Sequence, residues 1–336
     1  MARRLFSRII LCSAQRVKPR LFGINHKRNL SRNDVPVKEI QIPVEYGHIA
    51  AKLWGTGSER PILALHGWQD NAGTWDPLIP MLYNEMNNNR PILAIDLPGH
   101  GKSSWIPSGL HYYPWEYPQV ILYLKEYFKW DKVSILAHSM GSIAGFRYSC
   151  VYPDDTDFYI AVDHLIHDDY NLDSVVGKYS VYFKKNYIAV NRLHEEPPAY
   201  TWDEMIKIWH FGTKKSVNLE TVPYLLQRGA KESSKNPQKY YFSRDPRLKY
   251  VLFNPEDKKF VEALALRLKC PTLYLKATDS PYASDSFSVG MRELIENNHS
   301  KFEAHFVPGT HHVHLNNPDV ILPPIISFLR KYNFLR

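Results

Sequence analysis

Ser139 stands in Ala137-His138-Ser139-Met140-Gly141, between the apolar run Val133 to Ala137 and the helix-forming stretch Ser142 to Tyr148. Strand, sharp turn carrying a serine, helix is the context in which a small-x-Ser-x-Gly pentapeptide has chemical meaning. Small residues two before and two after the serine let strand and helix approach closely, and the turn lifts the hydroxyl above the strand ends. Ala137 takes a position that glycine usually fills, and alanine is the next smallest residue. A serine hydroxyl is a weak nucleophile until a base takes its proton. The chain must therefore supply a histidine, an acid to orient it, and backbone N–H groups for a developing oxyanion.

Three histidines, His311, His312 and His314, crowd one short stretch near the C-terminus. Imidazole is also a zinc ligand. Adjacent histidines in a loop rarely point the same way, however, and no carboxylate is implied that would complete an open site. No metal and no cofactor is expected. Gly101-Lys102-Ser103 ends like a phosphate-binding loop, but that motif needs glycine where this chain has Asp96.

The elements that must position these residues follow from hydrophobic patterning. Glu39 to Val44 and His48 to Gly55 read as a hairpin around Glu45-Tyr46-Gly47. Pro61 to Leu65, Pro91 to Leu97, Val133 to Ala137 and Phe158 to Leu165 are apolar runs of the kind buried on both faces. Helical spacing lies between them, at Thr74 to Met86 and Trp115 to Trp130. This alternation implies a mainly parallel sheet with helices on both faces. The rhythm breaks over 166–267, which is rich in Tyr, Trp, Lys and Pro. Helical pieces at 170–193, 202–210, 219–229 and 257–267, with a short strand-like Tyr250-Val251-Leu252-Phe253, read as a helical cap over the strand ends. Strands at 271–277 and 302–307 and helices at 287–297 and 318–332 then resume the pattern. The cap aromatics, among them Tyr179, Phe183, Trp202 and Trp209, read mainly as cap core and secondarily as the lining of an apolar acyl pocket.

The 336 residues carry a net charge of +8, which by itself suggests nucleic acid or a membrane surface. Residues 1–33 contain nine Lys and Arg and no acid, so removing them leaves the body near −1. A nucleic-acid partner is therefore not expected. The leader, Arg-rich, acid-free and serine-bearing, has the composition of a mitochondrial transit peptide, with a basic tail on a cytoplasmic protein as the alternative. Its apolar run Ile9 to Leu11 is too short for a membrane span. The cysteines, Cys12, Cys150 and Cys270, show no disulfide framework, in keeping with a reducing compartment.

Leu65-His66-Gly67-Trp68, Asp96-Leu97-Pro98-Gly99-His100-Gly101, the pentapeptide at Ser139 and Gly309-Thr310-His311-His312-Val313-His314 together resemble the α/β-hydrolase fold, in its order and spacing, over about 38–333. Trp68 to Asp76 and His311 to Pro318 are similar to the serine hydrolase-like (kraken) group. The resemblance implies an eight-stranded α/β-hydrolase core at 38–165 and 268–333, with the cap at 166–267. It makes Ser139 the nucleophile and gives the oxyanion donors as the backbone N–H groups of Trp68 and Met140. Counting back from Asn317-Pro318 makes His311 the base, with His312 its rival, while His314 packs or hydrogen-bonds nearby. The acid is expected after the strand 271–277, at Asp279 first and Asp285 second. Asp163, at the end of the strand after the nucleophile, is the third choice. Asp96, Gly99 and Gly101 shape a loop.

The implied activity is a serine hydrolase that cleaves a small-molecule carboxylic ester or thioester through an acyl-enzyme. Serine at 139 argues against dehalogenase and epoxide hydrolase chemistry, which this fold performs with a carboxylate nucleophile. An acyltransferase, or a non-catalytic ligand-binding protein that keeps the triad, stands as the alternative.

Overall fold

A computed structural model describes residues 35–167, 171–250 and 256–335. Residues 1–33, read as a leader, and Val251 to Phe253 of the short strand expected in the insertion lie outside them.

The apolar runs form the centre of the sheet because each can bury both faces. The hairpin pairs β1 (Val37–Val44) with β2 (Gly47–Trp54), and β3 (Ile62–Leu65) follows. Then come α1 (Ile79–Glu85), β4 (Ile92–Ile95), α2 (Glu116–Phe128), β5 (Val133–His138), α3 (Met140–Val151) and β6 (Thr156–Val162).

Between β6 and the next strand of this sheet lie α4 (Leu172–Asn191), α5 (Trp202–Gly212) and α6 (Val222–Gly229). They are followed by a two-stranded sheet, β7 (Ala230–Glu232) with β8 (Tyr240–Phe242), and by α7 (Lys258–Ala265). The chain closes with β9 (Thr272–Ala277), α8 (Ser286–Asn298), β10 (Phe302–Val307), the short α9 (Val313–Asn316) and α10 (Pro318–Lys331). The small β7–β8 sheet is absent from the reading of the insertion as helices with one short strand-like run at Tyr250 to Phe253. Its strands are only three residues long, too short for an alternating pattern to register. Tyr250 ends a 3-10 turn rather than opening a strand.

The eight strands of the main sheet run in the order β1-β2-β4-β3-β5-β6-β9-β10. The β1–β2 and β2–β4 pairs are antiparallel and the other pairs are parallel. After β3 the chain moves to one side, to β4, and then returns to the other side, to β5. The carboxyl ends of β3 and β5 thus flank the topological switch point, where open α/β sheets leave a crevice for a ligand. Each strand divides its side chains between two cores. Leu63, Leu65, Ile135 and Ala137 meet α2, α3 and α8 on one face, while Ile62, Ala64 and Leu136 meet α1 and α10 on the other. A third cluster, with Met205, Trp209, Val222 and Leu226, lies in the insertion and takes in Leu315 of α9. Among the described residues no helix is long and apolar enough to cross a membrane.

Candidate active site

The turn between β5 and α3 holds Ser139 at φ +53° and ψ −120°. That is a strained conformation for a residue with a side chain, and it aims Oγ into the crevice. Gly141 permits it: a Cβ there would lie 2.6 Å from the carbonyl oxygens of Leu65 and His66. Gly67 is equally tight, since its Cβ would meet His138 Nδ1 at 2.9 Å. The ends of β3 and β5 therefore pack closely, and Gly67, Trp68, Ser139 and Met140 line one cavity of about 380 Å³. Met140 is the first residue of α3, where the N–H has no acceptor within the helix.

His311 is brought to the serine. Its Nε2 lies 2.9 Å from Ser139 Oγ, and its Nδ1 lies 2.6 Å from Asp163 Oδ2. Burial lowers the His311 pKa, against the opposing pull of Asp163. The imidazole is therefore neutral near pH 7, with Nε2 able to accept a proton. Asp163 is fully buried at φ +56°. Its other oxygen, Oδ1, accepts from Ala277 N at 2.8 Å and from Lys276 Nζ at 3.1 Å.

Asp279, the first choice for the acid, does not take that place. Its side chain is exposed and accepts from the Thr278 hydroxyl at 3.1 Å, while its backbone N–H donates to Gly309 O at 3.0 Å. Asp285, the second choice, caps α8, accepting from Phe287 N and Ser288 N at 3.0 Å each. The reason lies in the strand order. β6 lies directly beside β5, so the residue after β6 is next to the serine turn, whereas the end of β9 is one strand further away. His312 lines the same cavity, but its Nδ1 lies 2.8 Å from Ser216 Oγ rather than meeting the serine. His314 packs on Trp75 and lies 2.8 Å from Thr74 Oγ1 through Nε2.

Four contributors escape the sequence reading. His138, the variable residue before the serine, donates from Nε2 to His311 O at 2.9 Å and so braces the loop that carries the histidine. Lys276 is legible only as a lone charge in the apolar run of β9. Arg244 lines the cavity from the insertion, and Asp70 lines it from the loop after β3. Asp70, His138 and His314 also bring one potential ligand atom each within 4.8 Å of one another, all buried. The carboxylate that the histidine cluster lacks in sequence thus comes from Asp70. Burial raises the Asp70 pKa to about 7 and holds both imidazoles well below their usual range. The group is therefore partly a neutral acid beside two neutral rings.

Asp96 is the hub of the adjoining loops. Its Oδ1 accepts from Ala72 N and its Oδ2 from Lys102 N, both at 2.8 Å. Arg228 of α6 closes on the same carboxylate at 2.7 Å, tying the insertion to the core. Gly101 has no room for a side chain, because a Cβ would lie 2.4 Å from that carboxylate.

The alpha/beta hydrolase fold family model matches residues 60–318. This chain belongs to that family. A "Probable serine hydrolase" of Drosophila melanogaster is 33% identical over 302 residues, covering 88% of each chain. A "Serine hydrolase-like protein" of Mus musculus is 27% identical, over 87% of this chain and 95% of its own. These relatives place the chain in the serine hydrolase-like group of α/β hydrolases. A crystal structure of a hypothetical protein from Pseudomonas aeruginosa superposes with a TM-score of 0.72 and 26% identity, over 89% of this chain and all of that one. Fold, family and the relatives' names agree on a hydrolase.

Proposed function

We propose that this hydrolase cleaves a carboxylic ester or thioester through an acyl-enzyme on Ser139. The observation that carries this reading is the hydrogen-bonded series Asp163, His311, Ser139 at a strained turn on the cavity wall. Ser139 Oγ attacks the carbonyl carbon while His311 Nε2 takes its proton. Asp163 holds the imidazole in the tautomer with the proton on Nδ1 and stabilises the imidazolium. The N–H groups of Trp68 and Met140 receive the oxyanion, each such donor contributing about 3–4 kcal/mol. His311 then protonates the departing alcohol or thiol, and water activated by the same nitrogen releases the acid and restores the serine.

The test is labelling by a fluorophosphonate, with Ser139→Ala and His311→Ala beside the parent. Loss of label and of esterase activity in both variants is the expected result. A folded parent that neither labels nor cleaves small esters overturns the enzyme and leaves a ligand-binding protein. The composition of residues 1–33 supports a mitochondrial destination as part of the same proposal. A fusion of residues 1–34 to a reporter that stays in the cytoplasm overturns that part.

A further inference from the structure

Among the described residues, the arginines drawn away from solvent have polar partners, with one exception. Arg228 meets Asp96 and Glu39. Arg247 meets Asp245 and the carbonyls of Ile106, Pro107 and Leu110. Arg147 meets Glu256, and Arg90 meets Ser134 and the Arg60 carbonyl. Each guanidinium is thereby compensated for leaving water, as a buried charge must be.

Arg244 follows β8 and lines the same cavity as Ser139 and His311. Among the described residues no carboxylate lies within salt-bridge distance of it, and its Nε is buried without a hydrogen-bond partner. Aromatic faces hold it in place: the guanidinium carbon is 4.6 Å from the Phe242 ring centroid and 5.3 Å from that of Trp209. These contacts orient a guanidinium without neutralising it. Burial lowers its pKa to about 10, so it stays charged at neutral pH. The carboxyl group that acts on it is Asp70, whose own burial makes it a poor counter-charge. Ile143, Ile208, Trp209 and Phe242 give the cavity an apolar side, and Gln69, Thr213, Ser216 and Tyr282 add polar groups to its lining.

We propose that Arg244 is an anion-binding subsite that selects acyl substrates bearing a carboxylate or phosphate group away from the scissile carbonyl. The guanidinium fork matches the paired oxygens of either group. The apolar walls take the carbon chain between that group and the reacting carbonyl. This inference rests on the hydrolase reading for its substrate, but not for the binding of the anion itself.

Two p-nitrophenyl esters of closely similar length separate charge from shape: the hemiglutarate, with a free carboxylate, and its methyl-capped neutral counterpart. The parent is expected to favour the anionic ester mainly through KM. Arg244→Gln is expected to lower the anionic-to-neutral ratio of kcat/KM by about 10–100-fold, in line with the loss of a hydrogen bond to a charged group. Arg244→Lys is expected to recover part of the ratio. Equal loss on both esters, or a parent indifferent to charge, overturns the subsite. Competition by glutarate and by inorganic phosphate, each expected to inhibit the parent more than Arg244→Gln, tells which of the two anions is preferred.

Calorimetric binding of glutarate and of phosphate to Ser139→Ala, with and without Arg244→Gln, separates the two readings. Binding that depends on Arg244, together with a parent that hydrolyses neither ester, keeps the subsite and removes the hydrolase. Absence of binding of both anions, together with hydrolysis that ignores charge, removes the subsite and keeps the hydrolase.

Discussion

At the scale of single residues, the proposal that Asp163 is the acid stands on the 2.6 Å between its carboxylate and His311. Asp163→Asn is expected to lower kcat by about 10⁴-fold, because the amide favours the wrong imidazole tautomer. Asp279→Asn, at an exposed residue outside the cavity lining, is expected to leave kcat within about twofold, in line with the small effect of most surface substitutions. Steady-state rates on one small ester compare them directly, and the reverse order of effects would return the role to Asp279. Asp70 gives a second prediction, in stability. Its pKa is raised by burial to about 7 in the folded protein, whereas an unfolded aspartate titrates near 3.9. Below both values the group is protonated in both states and costs nothing. As pH rises from about 4 to 7 the unfolded chain releases a proton that the folded one retains, so stability falls, by up to about 4 kcal/mol, and then levels off. Asp70→Asn should lack this fall. Denaturation midpoints of both proteins from pH 4 to 8 test it, and parallel curves would place the Asp70 titration in the ordinary carboxylate range.

At the scale of elements, the β5–α3 turn stores strain for the sake of placing a hydroxyl. Ser139 sits at φ +53° with a side chain, a conformation that costs about 1–3 kcal/mol and that glycine adopts freely. Ser139→Gly is therefore expected to melt a few degrees above Ser139→Ala, both being inactive. Equal melting temperatures would mean that the turn is relaxed. The patterns that build these elements are plain in the sequence. Runs such as Val133 to Ala137 can be satisfied only by burial on both faces, and β5, β4 and β3 follow from that. The expected helix from Thr74 to Met86 instead divides into a 3-10 turn, Ala72–Trp75, and α1. Pro77 and Pro80 lack the N–H groups that a continuous helix would use there. Elements of the insertion are harder to read because short strands such as β7 carry too few residues for a period.

At the scale of the whole molecule, the insertion is held to the core by buried charge as well as by apolar contact. Arg228 of α6 reaches Asp96, which is fully buried, and Glu39 of β1. Arg228→Met is expected to cost about 3–5 kcal/mol, since it leaves the Asp96 carboxylate buried and unpaired. Lys269→Met, which removes an exposed pair with Asp154, should cost under about 1 kcal/mol. Urea denaturation of the two variants tests the contrast, and equal losses would refute it. The sequence by itself determined the sheet, the order of its main strands and helices, the serine turn and the family, because burial periodicity and close-packed glycines are local demands. Only the tertiary structure decided that Asp163 rather than Asp279 meets His311, that His138 and Lys276 brace the pair, and that Arg244 faces the cavity uncompensated. Those facts depend on which strand lies beside which and on where a folded-over insertion points. Neither is encoded in the spacing of residues along the chain.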